Sequence, residues 1–191
     1  MCIRDRHRRL TRLPDADILV HSGDFTMNGS EQEAIDFMNW LCDLPYPHKI
    51  FICGNHDACL YGAKIDGLDK NVHYLCNSNV IIENIKFYGV PMFMEDCISD
   101  RQARNYAAIP ADTNVLITHC PPYGILDFDD GINYGSIELL TRVEEIKPRL
   151  HLFGHIHKQH GVKKDGSTIF SNGASMNGDY TNFNFPNLIE I

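Results

Sequence analysis

Asp24, Asn55, His119, His155 and His157 carry the oxygen and nitrogen atoms that divalent metal ions prefer, and each follows a short apolar run. Ile18-Leu19-Val20 leads into His21-Ser22-Gly23-Asp24, and Ile50-Phe51-Ile52-Cys53 into Gly54-Asn55-His56-Asp57. Val115-Leu116-Ile117 leads into Thr118-His119-Cys120-Pro121-Pro122, and Leu150-His151-Leu152-Phe153 into Gly154-His155-Ile156-His157. Two divalent ions held roughly 3.5–4 Å apart can clamp the attacking and leaving oxygens of a phosphoryl displacement. Such a site needs one carboxylate shared by both ions, neutral imidazoles and further oxygen ligands. Asp24 is the natural shared carboxylate, because the preceding Gly lets the backbone turn tightly. Asn55 offers a neutral amide oxygen, which limits the negative charge. His155 and His157, two residues apart, face the same ions if their segment stays extended. His56 then points the other way, toward substrate. Asp57 would orient its ring, leaving the second ring nitrogen to protonate a leaving oxygen.

The apolar runs that carry these clusters have the length and the Gly/Pro boundaries of buried strands. Ligand sites of open α/β sheets gather just beyond the carboxyl ends of such strands. Strands are expected at 17–21, 49–53, 114–118 and 150–153. Ser30 sits three residues before Glu33, a capping-box spacing, and Ala34, Phe37, Met38 and Leu41 follow at helical intervals, so 31–43 is predicted as an amphipathic helix. Residues 58–72 are irregular. Residues 80–83 and 85–90 form a predicted hairpin turning near Asn84, and 99–108 is either a helix or an ordered loop. Residues 123–134 form a long polar loop, and Ser136 caps a helix that stops before Pro148. Asp165-Gly166 marks a second hairpin, and Leu188-Ile189-Glu190-Ile191 is expected to be a last strand. Two sheets packed together with helices outside, and a site at one rim, satisfy this order.

The chain has 191 residues, 43% hydrophobic and 22% charged, enough for one sizeable domain. Its formal net charge of −8 argues against general nucleic-acid binding, which relies on Lys and Arg, but is compatible with a small phosphorylated substrate. Seven cysteines without CxxC spacing fit reduced thiols and a cytoplasmic protein better than a disulfide framework. No apolar run approaches the roughly 20 residues that cross a bilayer. Residues 1–6 are set aside as a non-native extension, because Met1-Cys2-Ile3-Arg4-Asp5 matches the translation of a sequencing-library adapter.

Gly23-Asp24, Gly54-Asn55-His56-Asp57, Thr118-His119-Cys120-Pro121-Pro122 and Gly154-His155-Ile156-His157 resemble motifs two to five of the calcineurin-like metallophosphoesterases. The text around Asp24 and His155 is similar to the small MPPED-like branch; the likeness runs from about residue 17 to the end, within a domain placed at 7–191. The resemblance implies a four-layer αββα sandwich of two mixed β-sheets flanked by helices. It also implies two divalent ions, Mn²⁺ foremost with Fe, Zn or Mg as alternatives, and hydrolysis of phosphodiesters, cyclic nucleotides among them, by a hydroxide activated between the ions. Carried over by position, Asp24, Asn55, His119 and His155 hold one ion. The other shares Asp24 and takes His157. The family's first motif, Asp-x-His after an N-terminal strand, is matched literally by Asp5-Arg6-His7, but too little chain precedes it for a buried strand. The first strand is therefore expected to be missing and the match accidental; whether Asp5 and His7 substitute for the motif stays open.

Several residues have plainer readings. His21 is assigned to packing or to support of a ligand. Cys53 and Cys120 are small packing residues, since hard divalent ions prefer O and N. Arg101 and Arg104, three apart, could grip a substrate phosphate, or simply face solvent. Two other functions use the same residues: a metal- or nucleotide-binding module with impaired turnover, and a phosphomonoester or phosphoprotein phosphatase.

Overall fold

A computed structural model describes residues 13–191, so the readings placed on Asp5, His7 and the 1–6 extension lie outside the described residues. β1 (Ile18–His21) leads through α1 (Glu31–Asp43) to β2 (His48–Phe51), and β3 (Val72–Tyr74) follows. Strand β2 lies between β1 and β3, and both pairings are parallel. Two parallel strands cannot be joined by a tight turn, and α1 supplies the crossover from β1 to β2. The capping box of α1 forms as the spacing predicts, with the Ser30 side chain accepting from the Glu33 N–H. At its other end the buried Lys49 ammonium donates to the carbonyls of Cys42 and Leu44, both at 2.8 Å. Those carbonyls are among the acceptors a helix leaves unpaired at its C-terminus.

The second half begins with the predicted hairpin, β4 (Ser78–Ile82) and β5 (Ile85–Val90). Then come α2 (Met94–Ile98), α3 (Arg101–Ala107), β6 (Val115–Thr118), β7 (Phe128–Asp129), β8 (Ile132–Asn133), α4 (Ile137–Ile146), β9 (Leu150–Phe153), β10 (Gly161–Asp165) and β11 (Thr168–Asn172). Six of these strands form one mixed sheet in the order β10-β11-β9-β6-β5-β4, parallel in the middle and antiparallel at both edges. Only this sheet is mixed; the other is wholly parallel among the described residues.

Side-chain alternation turns the two sheets into four layers. Phe51 and Cys53 of the first sheet pack with Phe37 and Leu41 of α1, while Ile50 and Ile52 point the other way and meet Phe87, Val115 and Ile117 of the second sheet. Tyr88 and Leu116 leave the far side of that sheet to pack against Tyr106 of α3 and Leu139 and Val143 of α4. Successive strand residues face opposite sides, so three apolar interfaces arise from two sheets. The result is the αββα sandwich.

Several segments resolve or depart from the sequence expectations. The 99–108 segment is helical and is preceded by a further short helix, α2. The polar loop at 123–134 contains the β7–β8 hairpin. Residues 188–191 are not a strand. The Asn187 amide donates to Ser171 Oγ and to the Asn172 carbonyl, so the tail is held by a side chain rather than a backbone ladder, and Ile189 packs against the inter-sheet core.

His151 of β9 is fully buried, with Nε2 2.9 Å from Thr118 Oγ1 and Nδ1 without a partner. Burial pushes its pKa down to about 3 from an ordinary 6.5. The unfolded chain therefore binds a proton that the folded one refuses between those two values, and stability falls as pH drops through that window. The slope is about 1.4 kcal/mol per pH unit from this group. Urea unfolding of the wild type and of His151→Gln at pH 7.5, 6 and 5 should show the shallower acid dependence in the variant. Identical slopes would refute the assignment.

Candidate metal centre

The site forms where the carboxyl ends of β1, β2, β6 and β9 converge. Gly23 has φ +97, and a Cβ there would lie 2.5 Å from the Gly54 nitrogen; a Cβ on Gly54 would overlap Asp24 Oδ1. Glycine at both positions lets the two loops touch backbone to backbone. Asp24 and His155 themselves hold left-handed φ values of 59° and 69°, which side-chain-bearing residues seldom adopt.

Ligand atoms of Asp24, His119 and His155 all lie within 4.8 Å of one another. Asn55 joins them, its Oδ1 3.0 Å from His119 Nε2. His119 Nδ1 lies 2.7 Å from the Ser22 carbonyl, so it is the nitrogen that donates. In the neutral ring Nε2 then carries a lone pair, and it faces Asn55 Oδ1 at 3.0 Å and Asp24 Oδ2 at 3.2 Å. Three acceptors aimed at one point repel unless a proton or a cation lies between them, and this donor set is one a divalent ion fits.

Without an ion, Asp24 and His119 favour each other's charged forms, and a divalent ion would replace the proton they share. Burial alone would push the Asp24 carboxyl up, but the His119 imidazole beside it holds it far below the carboxylate range. Burial pushes His119 down, and Asp24 outweighs it and raises the ring. Burial, then the neighbouring His119, takes His155 down to about 4, so it is neutral and ready to ligate at ordinary pH.

Three expectations change. His157 stands outside the group, because the chain turns left-handed at His155 and winds into a 3₁₀ turn at His157–Gln159 instead of staying extended. It still lines the same cavity of about 650 Å³ as Asp24, His119 and His155. Asp57 does not orient His56. Its buried carboxylate accepts the backbone N–H groups of Asp24, Thr26 and Gly54, each at 2.8 Å. The partner of His56 Nδ1 is instead the Met27 carbonyl at 3.1 Å, which leaves the other nitrogen of this exposed ring open. Arg101 is engaged by Asp96, 2.9 Å from its Nε, and by the Tyr61 hydroxyl, while Arg104 lies exposed on α3. The structure gathers neither arginine with the metal group.

His21 takes the supporting role expected of it, its Nδ1 accepting the Gly23 N–H and its ring meeting Phe25 and Phe37 edge-on. Cys53 and Cys120 are buried, and burial pushes the Cys120 thiol up to about 12, so both pack as neutral groups.

Asn172 escaped notice in the sequence. Fully buried at the end of β11, its amide donates to the Ile156 carbonyl at 2.9 Å and to the Leu126 carbonyl at 3.2 Å. Its Oδ1 accepts the Ala174 N–H at 2.9 Å. It thus pins the residue between His155 and His157. Lys158 adds a second tether, 2.6 Å from both Asp129 and Asp130, and fastens the same segment to the β7–β8 hairpin. The signal was present: Ser171-Asn172-Gly173 is a fifth strand end with a polar residue before a glycine.

Asn172→Ala should weaken Mn²⁺ binding roughly 10–100-fold, as loss of a ligand's support does. Asn187→Ala, which loosens the same strand end without touching Ile156, should leave it within about threefold. Equal loss in both variants, measured by Mn²⁺ titration, would show general loosening instead. Asp57→Ala leaves three buried N–H groups unpaired and should destabilise the fold by roughly 3–5 kcal/mol in urea unfolding.

Comparison with known proteins agrees with this geometry. The family described as Calcineurin-like phosphoesterase matches residues 3–159. UPF0046 protein K07C11.7 of Caenorhabditis elegans is 37% identical over 204 residues, covering 93% of this chain and 69% of that protein. Metallophosphoesterase domain-containing protein 1 of Homo sapiens is 32% identical over 228 residues, covering all of this chain and 70% of its own length. One solved crystal structure superposes with a TM-score of 0.58 at 16% identity, over 83% of this chain and 79% of that one, which is a likeness of fold. The chain belongs to the calcineurin-like phosphoesterases, hydrolases that use divalent metal ions on phosphoesters, and within them to the branch of the metallophosphoesterase domain-containing proteins.

Proposed function

We propose that the chain hydrolyses small phosphodiesters, cyclic nucleotides among them, with two divalent ions, Mn²⁺ foremost. The observation that carries this reading is the convergence of Asp24, Asn55, His119 and His155 on one point. Bound there, divalent ions supply Lewis-acid polarisation of the phosphoryl oxygens and lower the pKa of an attacking water. Asn55 and the imidazoles would hold them by neutral atoms, and Asp24 by the one carboxylate of the group. His157 is the proposed further ligand of the second ion. His56, its Nδ1 proton fixed on the Met27 carbonyl, presents its other nitrogen to hold or release a proton at the leaving oxygen.

Charge favours a diester over a monoester. Among the described residues lining the cavity none is Lys or Arg, and nearby Lys158 is neutralised by Asp129 and Asp130. A singly charged diester suits such a site better than a dianionic monoester. The net charge of −8 supports a small substrate rather than nucleic acid or a membrane surface. No helix among the described residues is long and apolar enough to cross a membrane. The described cysteines are all free, which suits a cytoplasmic location.

A second reading, a metal- or nucleotide-binding module with little turnover, draws on His157 standing outside the group. About one Mn²⁺ per chain would favour it, and about two the enzyme.

Hydrolysis of bis-p-nitrophenyl phosphate with Mn²⁺ tests the first reading. Activity should exceed that on p-nitrophenyl phosphate and vanish with a chelator. Asn55→Ala and His155→Ala should each lower kcat/KM by at least about a hundredfold. His56→Ala should be mild on nitrophenyl esters, whose leaving group needs no proton, and severe, roughly 10²–10⁴-fold, on alkyl diesters. Wild-type rates in Asn55→Ala or His155→Ala would sink the assignment.

A further inference from the structure

The segment after Asn172 carries a large aromatic ring that the metal group does not use. Tyr180 is 64% exposed, and its φ of +60 is a conformation bulky aromatic residues rarely adopt. A tight turn enforces it. The Asn177 N–H donates to the Asn182 carbonyl, and the Tyr180 N–H to the Asn177 carbonyl, both at 3.0 Å. Asn177 Oδ1 accepts the N–H groups of Thr181 at 2.9 Å and Asn182 at 3.0 Å, and the Thr181 hydroxyl donates to Asp179 Oδ1 at 2.6 Å. A surface tyrosine that only faces water needs neither the strained backbone nor this network.

The presented ring is close to the site. Its centroid lies 4.7 Å from that of His157 at an angle of 42°. The His157 imidazole lines the same cavity as Asp24, His119 and His155. Tyr180 therefore packs on an imidazole that shares a cavity with the metal group, with most of its own surface free. An exposed, rigidly held aromatic face stacks planar unsaturated rings of any identity.

We propose that Tyr180 is a stacking subsite for a planar aromatic group carried on the phosphoester, adjoining the metal group through His157. The inference rests on the hydrolase reading above. The ring fixes the substituent while the phosphoryl group lies at the metal ligands, so it selects among esters by what they carry. Two sources share this chemistry, a nucleobase and a simple aryl ester.

Equilibrium binding to the Mn²⁺-loaded protein, measured by calorimetry, tests the subsite without needing turnover. The probes are methylphosphonate against phenylphosphonate, and ribose 5-phosphate against adenosine 5′-monophosphate. The wild type should bind the aromatic member of at least one pair roughly five- to tenfold tighter. Tyr180→Phe should keep that preference. Tyr180→Gly, which removes the ring and relieves the backbone, should reduce it to less than twofold with methylphosphonate affinity unchanged. Loss in the phenyl pair alone assigns the subsite to aryl esters, and loss in the nucleotide pair assigns it to nucleobases. A preference that survives Tyr180→Gly, or is absent from the wild type, overturns the subsite and leaves the hydrolase reading standing. A wild type that binds no phosphonate overturns both.

Discussion

The Asp57 carboxylate collects the N–H groups of Asp24, Thr26 and Gly54, and the loops after β1 and β2 have no comparable tie elsewhere among the described residues. Each oxygen accepts from one loop or both, and nothing about the carboxylate faces water. Burial and the nearby Asp24 push its pKa up, so these N–H groups are what keep it acceptable as a buried acid. Two further contacts depend on the alignment it sets. Asp24 Oδ1 accepts the His56 N–H at 2.9 Å, and the Thr26 hydroxyl donates to the His56 carbonyl at 2.7 Å. The cluster that reads in sequence as one ligand-rich string is thus half ligand and half brace.

Four strand ends were legible in the sequence because each combined an apolar run, a glycine and a metal-binding side chain within a few residues. The αββα layering followed from the same alternation. Ser30 and Ser136 announced α1 and α4 by spacing alone, and both caps form. Helix α2 gave no such signal: no side chain caps it, and its Asp96 is buried to receive Arg101 and Asn105 rather than to start a helix. Such a partnership between one helix and the next leaves no local period to read. The β7–β8 hairpin is only two residues per strand and is held by Lys158 from elsewhere in the chain.

The site shows the same division. Side chains that act through their own chemistry, such as Asp24 and His119, were visible as residue types at strand ends. What depends on backbone conformation was not. Alternation places His155 and His157 together only in extended chain, and the left-handed turn at His155 breaks it. Adjacency suggested that Asp57 serves His56, whereas the structure sends that carboxylate to three N–H groups and gives the imidazole a carbonyl instead. Asn172 does its work through main-chain atoms of other segments, which no pattern of residue types displays.

Asp24, His119 and His155 come from the ends of strands in two different sheets, far apart along the chain. The β6–α4–β9 unit brings His119 and His155 together and the β1–α1–β2 unit brings Asp24 and Asn55, but no single unit contains all four. Closing such long loops costs entropy that is recovered only when both sheets have formed and met. The constellation therefore works as a proof of assembly. A single βαβ unit offers a metal at most half of the set, the finished sandwich offers all of it at once, and occupancy by metal stabilises the finished sandwich over every incomplete form.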